Sequence, residues 1–324
     1  MSPLVSILIP CFNSERVVAE SIESALAQTY PNIEVIAVDD GSTDHTLDVM
    51  RSFGNRIQIQ SGPNGGACLA RNRAFALSSG EFVQYLDADD LLCPTKIERQ
   101  IPRLLNGETD IVFCRGFIFG DGKPERPKKR EIRDPSGSDP FVYCISQGLS
   151  TEGPLIRSSL IKKVGGFQEG LKRGQEWDFH LRLAAAGARI DFLPELLYRH
   201  RNDDRPSRIT RRKIAPGYIT LQMIKLGERL VNEECYDLNG PRKSAFASAI
   251  TAAGVGCFRG GDPVTAKQAF AFAKELTHPK EIEYPGSRTY QQLCKWFGIE
   301  LTESALNPIR RIRKLKNRLQ TTNE

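Results

Sequence analysis

LVSILIP, residues 4–10, is an apolar run of the length and composition typical of a buried parallel strand. An amphipathic helical stretch follows and ends before Pro31, and a second apolar run, IEVIAV, occupies residues 33–38. The alternation continues with a strand at 57–59, a helix at 67–78 and a strand at 82–86. Because helical crossovers join parallel strands, this order predicts an α/β fold with a Rossmann-like, mostly parallel sheet and helices on both faces.

Composition and charge narrow the class of protein. The 324 residues carry a formal net charge of +6, and six cations lie between residues 310 and 318, so the rest of the chain is close to neutral and a nucleic-acid-binding body is excluded. Eight cysteines are dispersed without a C-x-x-C pair, which argues against a zinc site and for a reducing, cytoplasmic compartment. The N-terminus does not resemble a signal peptide, and no run reaches the roughly 18 apolar residues of a membrane span.

The sequence pattern changes near residue 213. Apolar periodicity then predicts helices at 219–231, 244–255 and 263–276, so we expect one α/β domain at 1–213 and a helical appendage at 214–324. Residues 307–319 predict a final basic amphipathic helix. Such a helix either packs its apolar stripe on neighbouring helices or lies on the anionic inner face of a membrane.

Three polar loops follow predicted strands, where ligands bind in parallel sheets. The most acidic is Asp87-Ala88-Asp89-Asp90. Two converging carboxylates repel each other unless a cation lies between them, and oxygen ligands suit Mg²⁺ or Mn²⁺. No basic residue near them in the sequence neutralises Asp87 and Asp89. A divalent metal site is one interpretation of this loop, and a solvated acidic turn is the other.

Two further loops suggest a nucleotide. Asp39 and Asp40 end the second strand, where a carboxylate can accept hydrogen bonds from a nucleobase or ribose, although a simple turn explains them equally well. The loop Asn64–Gly66 precedes a predicted helix, an arrangement that suits phosphate, and Arg71 on that helix could pair with a diphosphate. An ordinary loop and a surface ion pair remain the alternative.

Glu176 offers a proton acceptor at the start of another predicted helix. It stands beside Trp177, and a carboxylate packed against an indole is partly desolvated, which raises its pKa and suits a general base. Acidic residues are also common at helix starts, where they compensate the helix dipole.

The order of these motifs is more specific than any one of them. The series VSILIPCFN, VDDGSTD, NGGACLARN, YLDADD, GPLIR with VGGF, and QEWDFHLRL resembles the family-two inverting glycosyltransferases of the GT-A fold, over residues 4–205. The resemblance implies a nucleoside-diphosphate-sugar donor, with a UDP-sugar favoured, a glycan or glycolipid acceptor, and Mn²⁺ or Mg²⁺.

The same resemblance implies roles for individual residues. Its donor site comprises Pro10, Phe12, Asp39, Asp40, Arg71, Asp87, Ala88 and Asp89, of which Asp87 and Asp89 hold the metal. Glu176 matches the catalytic carboxylate, and Gly153, Trp177 and His200 fall on the acceptor side.

Two departures from the family pattern concern the acidic pair before tryptophan and a terminal histidine. The pair reads Gln175-Glu176, so only its second member ionises, and Tyr198-Arg199-His200-Arg201 places histidine one position early, which argues against a metal or phosphate role for it. The Q-x-x-R-W motif of processive synthases is absent, which favours transfer of a single sugar.

Two other functions compete with this interpretation. A nucleotidyltransferase requires a glycine-rich basic loop after the first strand, where this chain has Pro10–Ser14. A sugar-nucleotide or glycan-binding module that has lost catalysis is disfavoured by the intact Asp87, Asp89 and Glu176.

Overall fold

The computed structural model describes residues 2–120, 122–128, 134–203 and 213–306. At Trp296 it describes the backbone alone. The strands are β1 (Val5–Cys11), β2 (Ile33–Asp39), β3 (Gln58–Ser61), β4 (Phe82–Tyr85), β5 (Leu91–Leu92), β6 (Ile111–Phe119), β7 (Arg126–Pro127), β8 (Leu155–Arg157) and β9 (Ile190–Arg201). The helices are α1 (Val18–Leu26), α2 (Thr46–Arg51), α3 (Ala67–Leu77), α4 (Lys96–Leu105), α5 (Pro140–Gln147), α6 (Ser158–Val164), α7 (Gln175–Ala185), α8 (Tyr218–Asn232), α9 (Gly240–Gly260), α10 (Pro263–Leu276) and α11 (Arg288–Phe297).

The apolar run at the N-terminus forms the centre of a parallel half-sheet. β1 pairs in parallel with β2 on one side and with β4 on the other, and β3 extends the sheet beyond β2. Side chains on both faces of β1 are fully buried, Val5, Ile7 and Ile9 on one face and Ser6 and Leu8 on the other, as a strand covered on both sides requires. The predicted α/β fold with a mostly parallel sheet is confirmed.

The second half of the sheet contains antiparallel pairs that the sequence pattern did not indicate. β8 runs antiparallel to β4 and β6, and β5 runs antiparallel to β9. β9 pairs in parallel with β6 over Ile190–Arg201, and the register between the two strands shifts around Arg115. That irregularity accommodates Pro194, which has no N–H to donate to the ladder.

The chain divides into two compact units, Met1–Arg212 with Cys235–Asp237, and Lys213–Glu234 with Leu238–Glu324. In the second unit, a side chain at position 227 of α8 would clash with Phe246 and Phe272, so glycine is the residue that fits there. A buried Glu303 carboxylate accepts from Tyr290 Oη and pairs with Arg259. No helix within the described ranges has the length and hydropathy needed to cross a membrane. The predicted basic helix at 307–319 lies outside the described residues.

Two glycines with the same backbone conformation provide a stability test of the β2 loop. Gly41 has φ +73° and a Cβ there would approach Asn64 N to 2.8 Å, whereas Gly54 has φ +60° and nothing within 4 Å. Gly54→Ala should cost about 1–2 kcal/mol, the penalty of the left-handed conformation. Gly41→Ala should cost about 1–3 kcal/mol more because backbone must move. Urea unfolding of both variants measures the difference, and equal losses would show that the Gly41 contact carries no strain.

Candidate active site

The carboxyl ends of three parallel strands bring the predicted loops to one edge of the sheet. Cys11 at the end of β1 lies opposite Asp39 at the end of β2. The chain leaving β4 stays beside β1, because Leu86 N donates to Leu8 O at 3.0 Å. Asp87–Asp90 therefore begins at the same edge as the Pro10–Asn13 and Asp39–Asp44 loops.

Asn13 ties the first two loops together. It is the one non-glycine residue with positive φ (48°) in the described parts of the chain. Its Oδ1 accepts from Thr43 N at 2.8 Å and its N–H donates to Ser42 Oγ at 3.0 Å. Asparagine tolerates this conformation because its short side chain bonds locally. Phe12, next to it, keeps 38% of its surface exposed.

The Asp39 carboxylate is buried and rigidly held. Its Oδ1 accepts from Ser42 N at 3.1 Å and its Oδ2 from Ser61 Oγ at 2.8 Å. Only 2% of the residue is exposed. A nucleobase contact by Asp39, with the backbone of Pro10–Phe12 close by, stays a prediction that this fixed geometry permits.

Asp40 braces the loop before α3. Its two carboxylate oxygens accept from Gly65 N at 2.9 Å and Gly66 N at 2.7 Å, and Arg73 approaches at 3.4 Å. These amide groups stand at the start of α3, where the sequence suggested phosphate binding. They are committed to a carboxylate instead, so the loop does not offer these amides to a phosphate. The donor-binding role of Asp40 stays a prediction.

Arg71 joins parts of the site that lie far apart in the chain. Its Nη2 lies 2.7 Å from Asp87 Oδ1 and 3.3 Å from Glu176 Oε1, and its Nη1 donates to Gln175 Oε1 at 2.9 Å. The guanidinium also lies over the Phe167 ring, 4.9 Å from the centroid. Burial disfavours the charge, but Asp87 and then Glu176 outweigh it, so the pKa of Arg71 is raised above its ordinary value.

This ion pair corrects one expectation from the sequence. Asp87 does have a neutralising cation, Arg71, which is 16 residues away in the sequence and therefore not evident from the local motif. Arg71 is also almost fully buried, with 3% of its side chain exposed, rather than presented on a helix surface. The contact between Arg71 and a diphosphate remains a prediction.

Glu176 stands at the start of α7, after Gly174 in the left-handed conformation. Its Oε1 lies 3.4 Å from Thr151 Oγ1 as well as near Arg71, and 32% of its side chain is exposed. The carboxylate is thus both anchored and accessible to solvent. Trp177 beside it is half-buried.

The acidic loop Asp87–Asp90 is held by one residue of α1 and one residue of β9. Ser21 Oγ of α1 lies 2.8 Å from Ala88 O and 2.7 Å from Asp90 O. From β9, Arg201 Nε donates to Asp89 O at 2.9 Å, and Arg201 N donates to Asp90 Oδ1 at 2.7 Å. The backbone that carries Asp87 and Asp89 is therefore fixed, and the Asp87 side chain stays 31% exposed.

A cluster of three titratable side chains, Asp90, Glu152 and His200, adjoins this loop, and the sequence patterns did not predict it. Asp90 Oδ2 lies 2.9 Å from His200 Nδ1, and donor atoms of Asp90, Glu152 and His200 all lie within 4.8 Å of one another. Burial first, and then the neighbouring Asp89 charge, raises the pKa of Asp90, and burial together with Asp90 raises the pKa of Glu152. Two carboxyl groups in such a place require a shared proton or a cation. Asp90 could have been predicted as a site residue because it directly follows Asp87-Ala88-Asp89, whereas Glu152 belongs to no motif.

Gly153, predicted on the acceptor side, follows Glu152 before β8. A Cβ at this position would meet Ser150 Oγ at 3.0 Å and Cys114 O at 3.2 Å. A side chain at position 153 would therefore clash with its neighbours, which explains the glycine by packing. Thr151, two residues earlier, brings the segment close to Glu176. Contact with an acceptor stays a prediction.

Two arginines on α3 provide a test of the central ion pair. Arg71→Met leaves Asp87, Gln175 and Glu176 without their donor, so we expect a loss of about 2–4 kcal/mol in the free energy of unfolding. Arg73→Met breaks only a partly exposed pair with Asp40 and a bond to Pro63 O, and should cost about 1 kcal/mol or less. Urea denaturation of both variants decides this, and similar losses would contradict a central role for Arg71.

Comparisons with known proteins agree with this geometry. The family model described as glycosyl transferase family 2 matches residues 6–165. A glycosyltransferase of Rickettsia typhi, itself uncharacterised, is 37% identical over 213 residues, which are 63% of this chain and 65% of that protein, less than two thirds of its length. The glycosyltransferase GlyG of Streptococcus pneumoniae serotype 4 is 35% identical over 218 residues, covering 62% of this chain and 71% of GlyG.

Solved structures show the same fold at low sequence identity. Residues 1–349 of TarS from S. aureus, in complex with UDP, align with a TM-score of 0.69 and 18% identity over 95% of this chain and 91% of that chain. The mannosyltransferase PcManGT of Pyrobaculum calidifontis, in complex with GDP-Man and Mn²⁺, aligns with a TM-score of 0.56 and 17% identity over 87% of this chain and 78% of that chain. The motif order, the sheet and these relatives agree, and the chain belongs to glycosyl transferase family 2, with a GT-A fold.

Proposed function

We propose that this protein transfers one sugar from a nucleoside-diphosphate sugar to an acceptor hydroxyl with inversion at the anomeric carbon. The observation that carries the proposal is the convergence of Asp87 and Glu176 on the Arg71 guanidinium, at 2.7 and 3.3 Å. It brings a candidate base next to the candidate metal loop at the ligand-binding edge of the sheet. Structural neighbours bind UDP-GlcNAc or GDP-Man, which supports a nucleotide-sugar donor.

In this proposal the donor's base meets Asp39 and the backbone of Pro10–Phe12, and its diphosphate extends toward Asp87 and Asp89. The Asp39 carboxylate, held by Ser42 N and Ser61 Oγ, would accept a hydrogen bond from a base N–H. A uracil base is favoured by the family resemblance.

The residues of the acidic loop fit a hard divalent ion such as Mn²⁺ or Mg²⁺. Asp87 and Asp89 would hold it. The adjoining Asp90, Glu152 and His200, whose donor atoms lie within 4.8 Å of one another, form a second group that could hold a cation, although the position of His200 in the sequence argued against a metal role for it. When bound, the ion supplies compensation for the negative charge of the leaving nucleoside diphosphate.

Glu176 is the proposed general base. It accepts the proton of the acceptor hydroxyl, whose oxygen attacks the anomeric carbon from the face opposite the diphosphate. The bond from carbon to the phosphate oxygen breaks as the new glycosidic bond forms, so configuration inverts in one displacement. Arg71 and Thr151 hold the base in place during this step.

The acceptor side is proposed to include Gly153, Trp177 and His200, with a glycan or glycolipid as the acceptor. Peripheral contact with a membrane through residues 307–319 remains a proposal from sequence alone. A direct test of the function is the release of nucleoside diphosphate from a panel of sugar nucleotides, measured with and without candidate acceptors. Donor binding without turnover for any acceptor would favour a catalytically silent module.

Divalent-ion dependence provides one prediction. Turnover should be lost in EDTA and return with Mn²⁺ or Mg²⁺, and Asp89→Ala should lose turnover because the acidic loop then lacks a metal ligand. Asp48→Ala is the matched control, since this exposed carboxylate on α2 forms ion pairs with its near neighbours His45 and Arg51. Full activity in EDTA would rule out metal assistance.

The Glu176→Gln variant provides a second prediction, which concerns the general base. The amide keeps the size of the side chain but cannot accept a proton, so kcat should fall by roughly 10²–10⁴-fold. The donor dissociation constant, measured by isothermal titration, should barely change. A variant that also fails to bind donor would make Glu176 a structural residue and place the base elsewhere.

A further inference from the structure

A fully buried lysine outside the proposed catalytic groups is bonded to two buried glutamines. The first residue of α4, Lys96, has no exposed surface, and neither do Gln84 and Gln100. Its Nζ donates to Gln84 Oε1 and, at 2.5 Å, to Gln100 Oε1. Burial lowers the pKa of Lys96 to about 8. Removing an ammonium group from water costs several kcal/mol, so a lysine in this position requires a compensating role.

Each of the two glutamines donates to one carbonyl of the short segment 152–153 and to one carbonyl elsewhere, which is Tyr85 O for Gln84 and Val112 O, at 2.7 Å, for Gln100. Gln84 Nε2 donates to Glu152 O at 3.0 Å, and Gln100 Nε2 donates to Gly153 O at 3.0 Å. Because Lys96 Nζ can only donate, it requires both amide oxygens to face it, and each NH₂ group must then point away toward the carbonyls. One ammonium group thus fixes the orientation of both amides.

That segment contacts both chemical parts of the site. Thr151 Oγ1 lies 3.4 Å from Glu176 Oε1, and the Glu152 carboxyl interacts with Asp90 beside the D-x-D loop. Gly153 is confined by Ser150 Oγ and Cys114 O, so the segment has little freedom to adjust. A shift of the Glu152 or Gly153 carbonyl would therefore move the residues that meet the base and the acidic loop.

We propose that Lys96 is a positioning residue for the transfer reaction. Through Gln84 and Gln100 it holds the backbone of residues 151–153 where Thr151 supports the base and Glu152 supports Asp90. This inference rests on the proposed function. Thr151 contacts Glu176 directly, whereas Glu152 reaches the donor-binding loop through Asp90, so displacement of the segment should affect kcat and the acceptor KM more than donor binding.

Hydrogen exchange tests the structural part of the proposal without any activity assay. Lys96→Met removes the donor, and Ile97→Ala removes a neighbouring, fully buried core side chain of the same helix as a control for general destabilisation. Lys96→Met should speed amide exchange of a peptide covering residues 150–157 by about tenfold relative to Ile97→Ala, after correction for global stability. Equal exchange in the two variants would overturn the proposal. If Lys96→Met does not fold, Gln84→Met replaces it, since it removes the bond to Glu152 O.

Kinetics test the functional part. Lys96→Met should lower kcat by about 10–10²-fold, with the donor KM within twofold of the original value. Ile97→Ala should keep kcat within twofold. In a double-mutant cycle with Thr151→Val, the effects on kcat should be less than additive because both act on the same segment. Full additivity, or equal kcat losses in the Lys96 and Ile97 variants, would reduce Lys96 to a structural role. If the unaltered protein turns over no sugar nucleotide, the proposed function fails, while the exchange experiment still decides the placement of residues 151–153.

Discussion

The site depends on a buried guanidinium that neutralises carboxylates from two distant segments. Arg71 is 3% exposed and meets Asp87 after β4 and Glu176 at the start of α7. A buried cation is stable only when its charge is matched, so the contacts of the two Nη atoms of Arg71 fix where α3, the acidic loop and α7 stand relative to one another. Without it, two carboxylates would face each other across the edge of the sheet.

Backbone and side-chain contacts from several elements keep the remaining acidic groups in place. Asp39 and Asp40 bond to amides and a hydroxyl of the following loops, and Asp90 bonds to Arg201 N from β9. The bonds to Asp39 and Asp40 are made to carboxylates and are stronger than bonds between neutral groups. The edge of the sheet is therefore rigid before any ligand arrives, as electrostatic catalysis requires.

Local patterns predicted the groups that follow strands, because a strand's carboxyl end and its loop are contiguous in sequence. Asp39, Asp87 and Asp89 were found in this way. The partners of these groups were not predictable in the same manner. Gln175 meets Arg71 across 104 residues, and Glu152 meets Asp90 without belonging to a motif. The antiparallel strand β8, which carries Glu152 and Gly153 into the site, is only three residues long and too short for a periodic signal.

By itself, the sequence determined the α/β class, the order of strands β1 to β4, the acidic loop after β4 and the family, because hydrophobic periodicity and loop chemistry act over short distances in the chain. Only the tertiary structure decided that Arg71 neutralises Asp87, that Asp40 binds the amides before α3, and that Lys96 lies buried against Gln84 and Gln100. The physical reason is that charge compensation and burial depend on distances in space between residues that are far apart in the sequence, and the pairing of strands and packing of helices set those distances.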